Sequence, residues 1–112
     1  MHPAKVRRTE IRRLTDLPNV GPAMARDLTL LGFTEPGQLV GADPFQLYQS
    51  LCLATGARHD PCVLDVFMSV THFLAGGEPE PWWNFTEQRK RQWTRLALHS
   101  SGRSTAAAER RH

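Results

Sequence analysis

The sequence predicts an all-α fold, namely a compact bundle of five or six short helices. Apolar residues recur at helical spacing along the 112-residue chain, and no segment shows the alternation of a half-buried strand. Two helix starts are strongly marked, because Asp43-Pro44 and Asp60-Pro61 each place a capping carboxylate before a proline. A chain of this length contains one domain with one modest hydrophobic core.

The predicted helices follow one another with short connections. In chain order they are 9–16, with Thr9 as its cap, 22–31, a short turn at 35–40, 44–55, 61–75 and 86–98. The helix at 61–75 is predicted to be the central element, because a broad apolar face runs along it. The last residues show no periodicity. We therefore expect a basic N-terminal arm at 1–8, a folded domain at 9–98 and a disordered tail at 99–112.

Positive charge is concentrated at the two ends of the chain. The net charge of +3 combines +4 in residues 1–13, −7 in residues 14–88 and +6 in residues 89–112. Any interaction with a polyanion is therefore expected to use the ends of the chain as well as a motif between them. The same charge runs are also compatible with solvated helix faces and a tail.

The stretch that says most about function is Leu17-Pro18-Asn19-Val20-Gly21-Pro22. Pro18 fixes φ and ends the preceding helix, while Asn19 and Gly21 tolerate the left-handed backbone of a tight turn. Val20 can point inward and lock the turn onto the helices. Pro22 suits a first helical position, where its missing N–H is no loss.

Together with Ala25, Leu28 and Gly32, this stretch resembles the helix-hairpin-helix motif, a short turn between two helices that binds a DNA phosphate. Free backbone N–H groups after Gly21 would point out of a helix N-terminus, which favours an anion. Contacts of this kind carry no base information, so the resemblance implies DNA binding that is independent of sequence. The candidate DNA-binding residues are Asn19, Val20, Gly21, Pro22, Ala23, Met24, Arg26, Arg12 and Arg13.

The hairpin departs from the usual motif in two respects. Asn19 stands where a glycine is customary, and no Lys or Arg directly follows Pro22. The alternative is that the hairpin is only a compact joint in a domain that contacts protein. The acidic middle of the chain and the Trp-rich segment at 82–85 would then form the surface of a protein-interaction adaptor.

Further motifs, in the same order, resemble one bacterial family. Asp43-Pro44, the run 60–67 and Pro81-Trp82-Trp83 follow the hairpin as in the pathogenicity-locus or mitomycin-resistance-like helix-hairpin-helix proteins. The resemblance covers about residues 9–88. It implies a small all-α domain that binds DNA, and nothing in these residues indicates repair chemistry.

An enzymatic alternative, a helix-hairpin-helix DNA glycosylase, is disfavoured. Bifunctional members of that class use a lysine near the hairpin as nucleophile, whereas the lysines here are Lys5 and Lys90. The chain is also too short to form a pocket for a flipped base. We therefore expect no catalytic residues and no enzymatic activity.

Cys52, His59 and Cys62 form a second candidate cluster, on two predicted helices joined by a short loop. Cys62 lies in the first turn of its helix near Arg58 and His59, which would lower its pKa if the thiol were exposed. The spacing matches no common zinc site, and His72 lies about 15 Å farther along the helix. Buried structural thiols are expected, with a redox pair acting as a thiol sensor, or a metal site, as the alternatives. No metal or cofactor is predicted.

Four aromatic residues near the C-terminal end have two interpretations. Trp82, Trp83, Phe85 and Trp93 could stack on single-stranded bases, or they could dock the end of the chain onto the core. Docking is favoured, because the double tryptophan follows the proline-rich link 78–81. An exposed ring would instead favour the binding of a partner.

No membrane segment is predicted, because the longest apolar stretch, around 63–74, is short and interrupted by polar residues. No apolar run follows the N-terminal charges, so no secretory signal is predicted. With two cysteines, the chain is expected to be cytoplasmic, in a reducing compartment. The expected partner is DNA, most simply duplex DNA, with a protein as the alternative.

Overall fold

A computed structural model describes the backbone of residues 2–103 and the side chains of residues 2–95. Within these residues the chain is all-helical, which confirms the predicted fold class. The α-helices are α1 (Pro22–Leu30), α2 (Pro44–Thr55), α3 (Pro61–Leu74) and α4 (Thr86–Arg103). Short 3-10 turns connect or precede them, at Pro3–Lys5, Arg8–Glu10, Leu14–Asp16, Pro36–Leu39 and Trp82–Phe85.

The predicted helix at 9–16 does not form, so the described residues contain four α-helices rather than five or six. Two isolated 3-10 turns take its place, and the backbone is extended at Ile11 and Arg13. The predicted hairpin at 17–22 therefore follows a 3-10 turn and not the first α-helix of a helix-hairpin-helix. The side chain of Asp16 accepts hydrogen bonds from the backbone N–H groups of Arg12 and Arg13, at 3.0 Å and 2.9 Å. Such local bonds compete with helix formation, and Thr9, which was predicted to cap the helix, caps nothing here.

The starts of α2 and α3 were predicted correctly from the two Asp-Pro pairs. Asp43 accepts a hydrogen bond from the Phe45 N–H, and Asp60 accepts one from the Cys62 N–H, both at 2.9 Å. Helix α2 ends at Gly56, which adopts a left-handed conformation with φ 66°. These caps satisfy N–H groups that the first turn of a helix cannot pair internally.

Helix α3 is the central element of the core, as its apolar face predicts. It packs against α2, against the turn Trp82–Phe85 and against α4. Its buried side chains include Leu64, Phe67, Val70 and Phe73, none more than 2% exposed. The hairpin and α1 are joined to this core through Leu17, Val20 and Leu28, which are equally buried.

Helix α4 continues to Arg103, past the end predicted near Leu98. The predicted disordered tail therefore overlaps the helix at 99–103, and its remainder, 104–112, lies outside the described residues. None of the helices within residues 2–103 combines the length and the apolar character needed to cross a bilayer.

Candidate nucleic-acid interface

The turn at 17–21 that precedes α1, where the hairpin was predicted, is held to the core by the side chain of Asn19. This residue adopts the predicted left-handed conformation, with φ 65°. Its amide Nδ2 donates to Ser69 Oγ on α3 at 2.9 Å and to the Glu80 carbonyl at 2.7 Å. Asn19 therefore provides the left-handed backbone conformation that a glycine usually provides in this turn, and its side chain adds two hydrogen bonds to distant residues. Its side chain faces the core rather than a ligand, as does Val20, which is fully buried.

Gly21 does not adopt the left-handed conformation that was predicted for it. Its φ of −95° and ψ of −175° are extended values open to any residue. Apart from its two chain neighbours, no residue that the structure describes has a heavy atom within 4 Å of a Cβ built on Gly21. Neither backbone strain nor packing therefore requires glycine at this position.

The N-terminus of α1 is open. Gly21 provides no side-chain cap, Pro22 occupies the first helical position, and the first turn contains no acidic residue. Within the described part of the chain, the N–H groups of Gly21, Ala23 and Met24 donate no hydrogen bond to another group. Gly21, Pro22 and Ala23 are exposed, so these groups can reach a ligand. A helix start of this kind attracts an anion.

A cleft of about 370 Å³ lies beside this helix start. Asn19 and Gly21 line it together with Trp82 and Trp83. The first residues of the N-terminal arm, His2 and Pro3, complete the lining. The structure thus brings the hairpin, the double tryptophan and the arm together around one opening.

The predicted arginines are not all gathered at this opening. Arg26 is exposed on α1, within about one turn of Pro22 and Ala23. Arg12 lines a different shallow cleft, with Ile11 and residues 35–38. Arg13 is exposed, and its Nη2 lies 3.7 Å from Oδ1 of the half-buried Asp16. Arg26 is therefore the cation that best accompanies the helix start.

Residues 7–91 match the pathogenicity locus family, Cdd1. The chain belongs to this family. It is 45% identical over 78 residues to the mitomycin resistance protein McrB of Streptomyces lavendulae, which covers 70% of this chain and 74% of that protein. No solved structure matches the chain.

Two cations within the family match are hydrogen-bonded to groups of the protein itself. The Arg8 guanidinium donates to the carbonyls of Phe73, at 2.7 Å, and Gly77, at 2.5 Å, and lies 4.2 Å above the Phe73 ring centroid. Arg89 donates to Asp65 at 2.8 Å. Arg8 thus ties the N-terminal arm to the end of α3 while remaining exposed, and Arg89 is held in a largely buried pair.

The pair of Asp65 and Arg89 was missed in the sequence. Asp65 is fully buried on α3 and also accepts a hydrogen bond from Thr86 at 2.8 Å. A signal existed, since Asp65 interrupts the most apolar helix of the chain. A buried carboxylate needs an oppositely charged or hydrogen-bonding partner, so Asp65 predicts an arginine or lysine of another helix beside it.

The cysteines are half-buried free thiols. The exposed thiol on which a lowered pKa of Cys62 would depend is not found: burial raises this pKa, and the hydrogen-bonded carboxylate of Asp60 raises it further. A raised pKa reduces the thiolate fraction and with it the reactivity expected of a sensor thiol. Among the residues described, no three His, Cys, Asp or Glu side chains are grouped as metal ligands would be.

The aromatic segment divides into anchors and one exposed ring. Phe85 is buried, Trp82 packs partly buried against the core, and Trp93 meets the Tyr48 ring edge to face at 5.7 Å. These three side chains dock the C-terminal part of the chain, as predicted. Trp83 does not, since it remains 60% exposed.

Proposed function

We propose that this protein is a non-catalytic DNA-binding protein of the cytoplasm that holds a backbone phosphate at the start of α1. The proposal rests on one observation: the exposed start of α1 leaves the N–H groups of Gly21, Ala23 and Met24 without a hydrogen-bond acceptor among the described residues, and its first turn holds no acidic side chain. Because glycine has no side chain, Gly21 lets a ligand approach this part of the backbone closely. Here the ligand would meet the N–H groups of Gly21, Ala23 and Met24.

The chemistry of this helix start suits a phosphate oxygen. Unpaired N–H groups and the positive end of the helix dipole favour a negative charge, and no acidic side chain in the first turn competes for the position. Arg26 can add a direct ion pair from the next turn. Because phosphates are common to every sequence, binding through these groups is independent of base identity.

Further cations would extend the contact along the strand. Arg12 and Arg13 are exposed, and Arg91 and Arg95 on α4 are exposed as well. Arg8 and Arg89 are excluded because they serve the fold. If about three to five phosphates are neutralised, the logarithm of the binding constant should fall with the logarithm of salt concentration at a slope of about −3 to −4.

The substitution Gly21→Val tests the proposal. The extended backbone and open space at Gly21 accept valine, so the fold should persist while the new side chain covers the N–H groups. We expect duplex affinity at low salt to fall about tenfold or more, since charge-assisted hydrogen bonds to the phosphate are lost.

Gly37→Val is the matched control. Gly37 is also exposed and has nothing within 4 Å of an added Cβ, but it lies in the 3-10 turn Pro36–Leu39. Thermal unfolding should show that both variants are folded. Equal DNA affinity of the Gly21→Val variant and the parent would refute the site. No duplex affinity of the parent at low salt would instead favour the protein-interaction adaptor.

A further inference from the structure

We propose that the cleft beside the hairpin receives one unpaired nucleobase, which stacks on Trp83. The protein would then bind DNA with a single-stranded stretch beside duplex more tightly than blunt duplex. This inference rests on the proposed function, because the base would belong to the strand whose phosphate α1 holds. The surface beside the hairpin would thus prefer DNA in which an unpaired base lies next to a duplex.

The ring of Trp83 is both exposed and held in place. Its centroid lies 5.5 Å from that of Trp82, at an interplanar angle of 82°, and Trp82 is itself packed against the core. The other large apolar side chains exposed within residues 2–95 are the aliphatic Leu30, Val40 and Leu53. An exposed aromatic ring whose orientation is already restricted loses little entropy when a base stacks on it.

The surroundings of the cleft suit a polyanion. None of the described residues that line the cleft carries a carboxylate. The arm that supplies His2 and Pro3 continues with the exposed cations Lys5 and Arg7. The carboxylate of nearby Glu80 is already engaged, by His72 at 3.1 Å and by the Asn84 amide at 3.1 Å. This charge pattern favours an anionic strand over a basic peptide, and the exposed Trp83 ring favours a strand that carries bases.

The cleft is continuous with the phosphate site, because Gly21 belongs to both. One strand can therefore present a phosphate to the N–H groups of α1 and a neighbouring base to Trp83. A base within a duplex is stacked between its neighbours and must be extruded at a cost of a few kcal/mol before it reaches a side chain. An unpaired base needs no such extrusion, and its stacking on an aromatic side chain is tolerant of sequence.

Binding titrations with three labelled DNAs test the inference: a blunt duplex, the same duplex with a short thymidine overhang, and that overhang with abasic sites. We expect the parent protein to bind the thymidine overhang about fivefold or more tighter than the blunt duplex, and to lose this preference with abasic sites. The Trp83→Ala variant should lose the preference while keeping its blunt-duplex affinity. Trp83→Phe should retain part of the preference.

Leu53→Ala is the control, since Leu53 is 77% exposed but lies on α2, outside the cleft lining. It should keep the full preference. An unchanged preference in Trp83→Ala, or equal binding of overhang and blunt duplex by the parent, overturns the stacking inference and leaves phosphate binding intact. Gly21→Val, by contrast, should weaken binding to all three DNAs. If the parent binds none of them, both proposals fail and Trp83 belongs to a protein-binding surface.

Discussion

Arg89 Nε lies 2.8 Å from Asp65 Oδ1, and this ion pair joins α4 to the centre of α3. The Asp65 side chain is fully buried, and the Arg89 side chain is only 14% exposed. The hydrogen bond to Asp65 is the main cause that raises the pKa of Arg89 above its ordinary value, so the guanidinium stays charged. The sequence places these residues on different helices, and the fold pairs them.

Arg89→Met should destabilise the protein strongly. It leaves the buried Asp65 carboxylate with the Thr86 hydroxyl as its remaining partner, and breaking a buried pair in this way costs about 3–5 kcal/mol. Urea unfolding measures the loss. The neighbouring Lys90→Met, at an exposed pair with Glu87, should change stability by less than about 1 kcal/mol. Similar effects of the two substitutions would show that the buried pair does not stabilise the fold.

Asn19→Gly and Asn19→Ala should separate the two roles of Asn19. Glycine keeps the left-handed backbone but loses the bonds to Ser69 and Glu80, at a cost of about 1–3 kcal/mol. Alanine loses the same bonds and adds about 1–2 kcal/mol of strain at φ 65°. Thermal unfolding should therefore rank the parent above the glycine variant and the glycine variant above alanine. An alanine variant as stable as the glycine variant would contradict the strained turn.

Stability should fall in acid, in part through Asp16 and Asp60. Hydrogen bonds from the backbone N–H groups of Arg13 and Arg12 lower the pKa of Asp16, and the bond from the Cys62 N–H lowers the pKa of Asp60. A lowered folded pKa gives stability that is fully present above the unfolded value, about 3.9, and is lost as the pH falls through the folded value.

The measurement is the urea midpoint between pH 5 and pH 2. The double variant Asp16→Asn with Asp60→Asn should show a shallower decline with acid than the parent. Two parallel curves would mean that these carboxylates contribute nothing to the acid dependence.

Cys62 should react slowly with a thiol reagent at neutral pH. Burial is the first cause of its raised pKa, and the Asp60 carboxylate adds to it, so the thiolate fraction is small. In a Cys52→Ser background, alkylation of the folded protein should be about tenfold or more slower than alkylation in urea, because thiolate supply and access are both reduced. Equal rates in the two states would restore the thiol sensor as a candidate.

The raised pKa of Cys62 also predicts lower stability in alkali. The unfolded thiol releases its proton at a lower pH than the folded one, so stability declines as the pH rises above about 8.5. The Cys62→Ala variant should lack this part of the decline in urea unfolding between pH 7 and pH 10.

Short-range rules account for the parts of the fold that were predicted correctly. The starts of α2 and α3 depend on carboxylates that bond a backbone N–H two residues away, and the residues that form such caps are adjacent in the chain. The apolar face of α3 is visible because its period matches the helix. The helix predicted at 9–16 failed under a rule of the same range, since the bonds of Asp16 to Arg12 and Arg13 span only three or four residues. An aspartate at position 16 can therefore bond the N–H groups of the preceding residues in place of the helical hydrogen bonds, and this possibility is visible in the sequence.

The candidate site was predicted only in outline. The open start of α1 follows from Pro22 and the absence of acidic residues after it, and both are local features. The approach of Trp83 and His2 to Gly21 is not local, because these residues come from opposite ends of the domain. The sequence does not tell which of the three tryptophans is exposed, because Trp82, Trp83 and Trp93 are chemically identical and their burial depends on the packing of the whole domain.

The amino-acid order alone established the helical class, the two Asp-Pro caps, the central place of α3 and the start of α1 at Pro22. Each of these depends on groups within about one helical turn of one another. The folded arrangement decided which polar side chains are hydrogen-bonded within the protein. Asn19 bonds a residue 50 positions away, Arg8 one 65 positions away and Arg89 one 24 positions away. A charge or amide at such a separation finds its partner only when the core has packed, because packing is what brings the two segments within bonding distance.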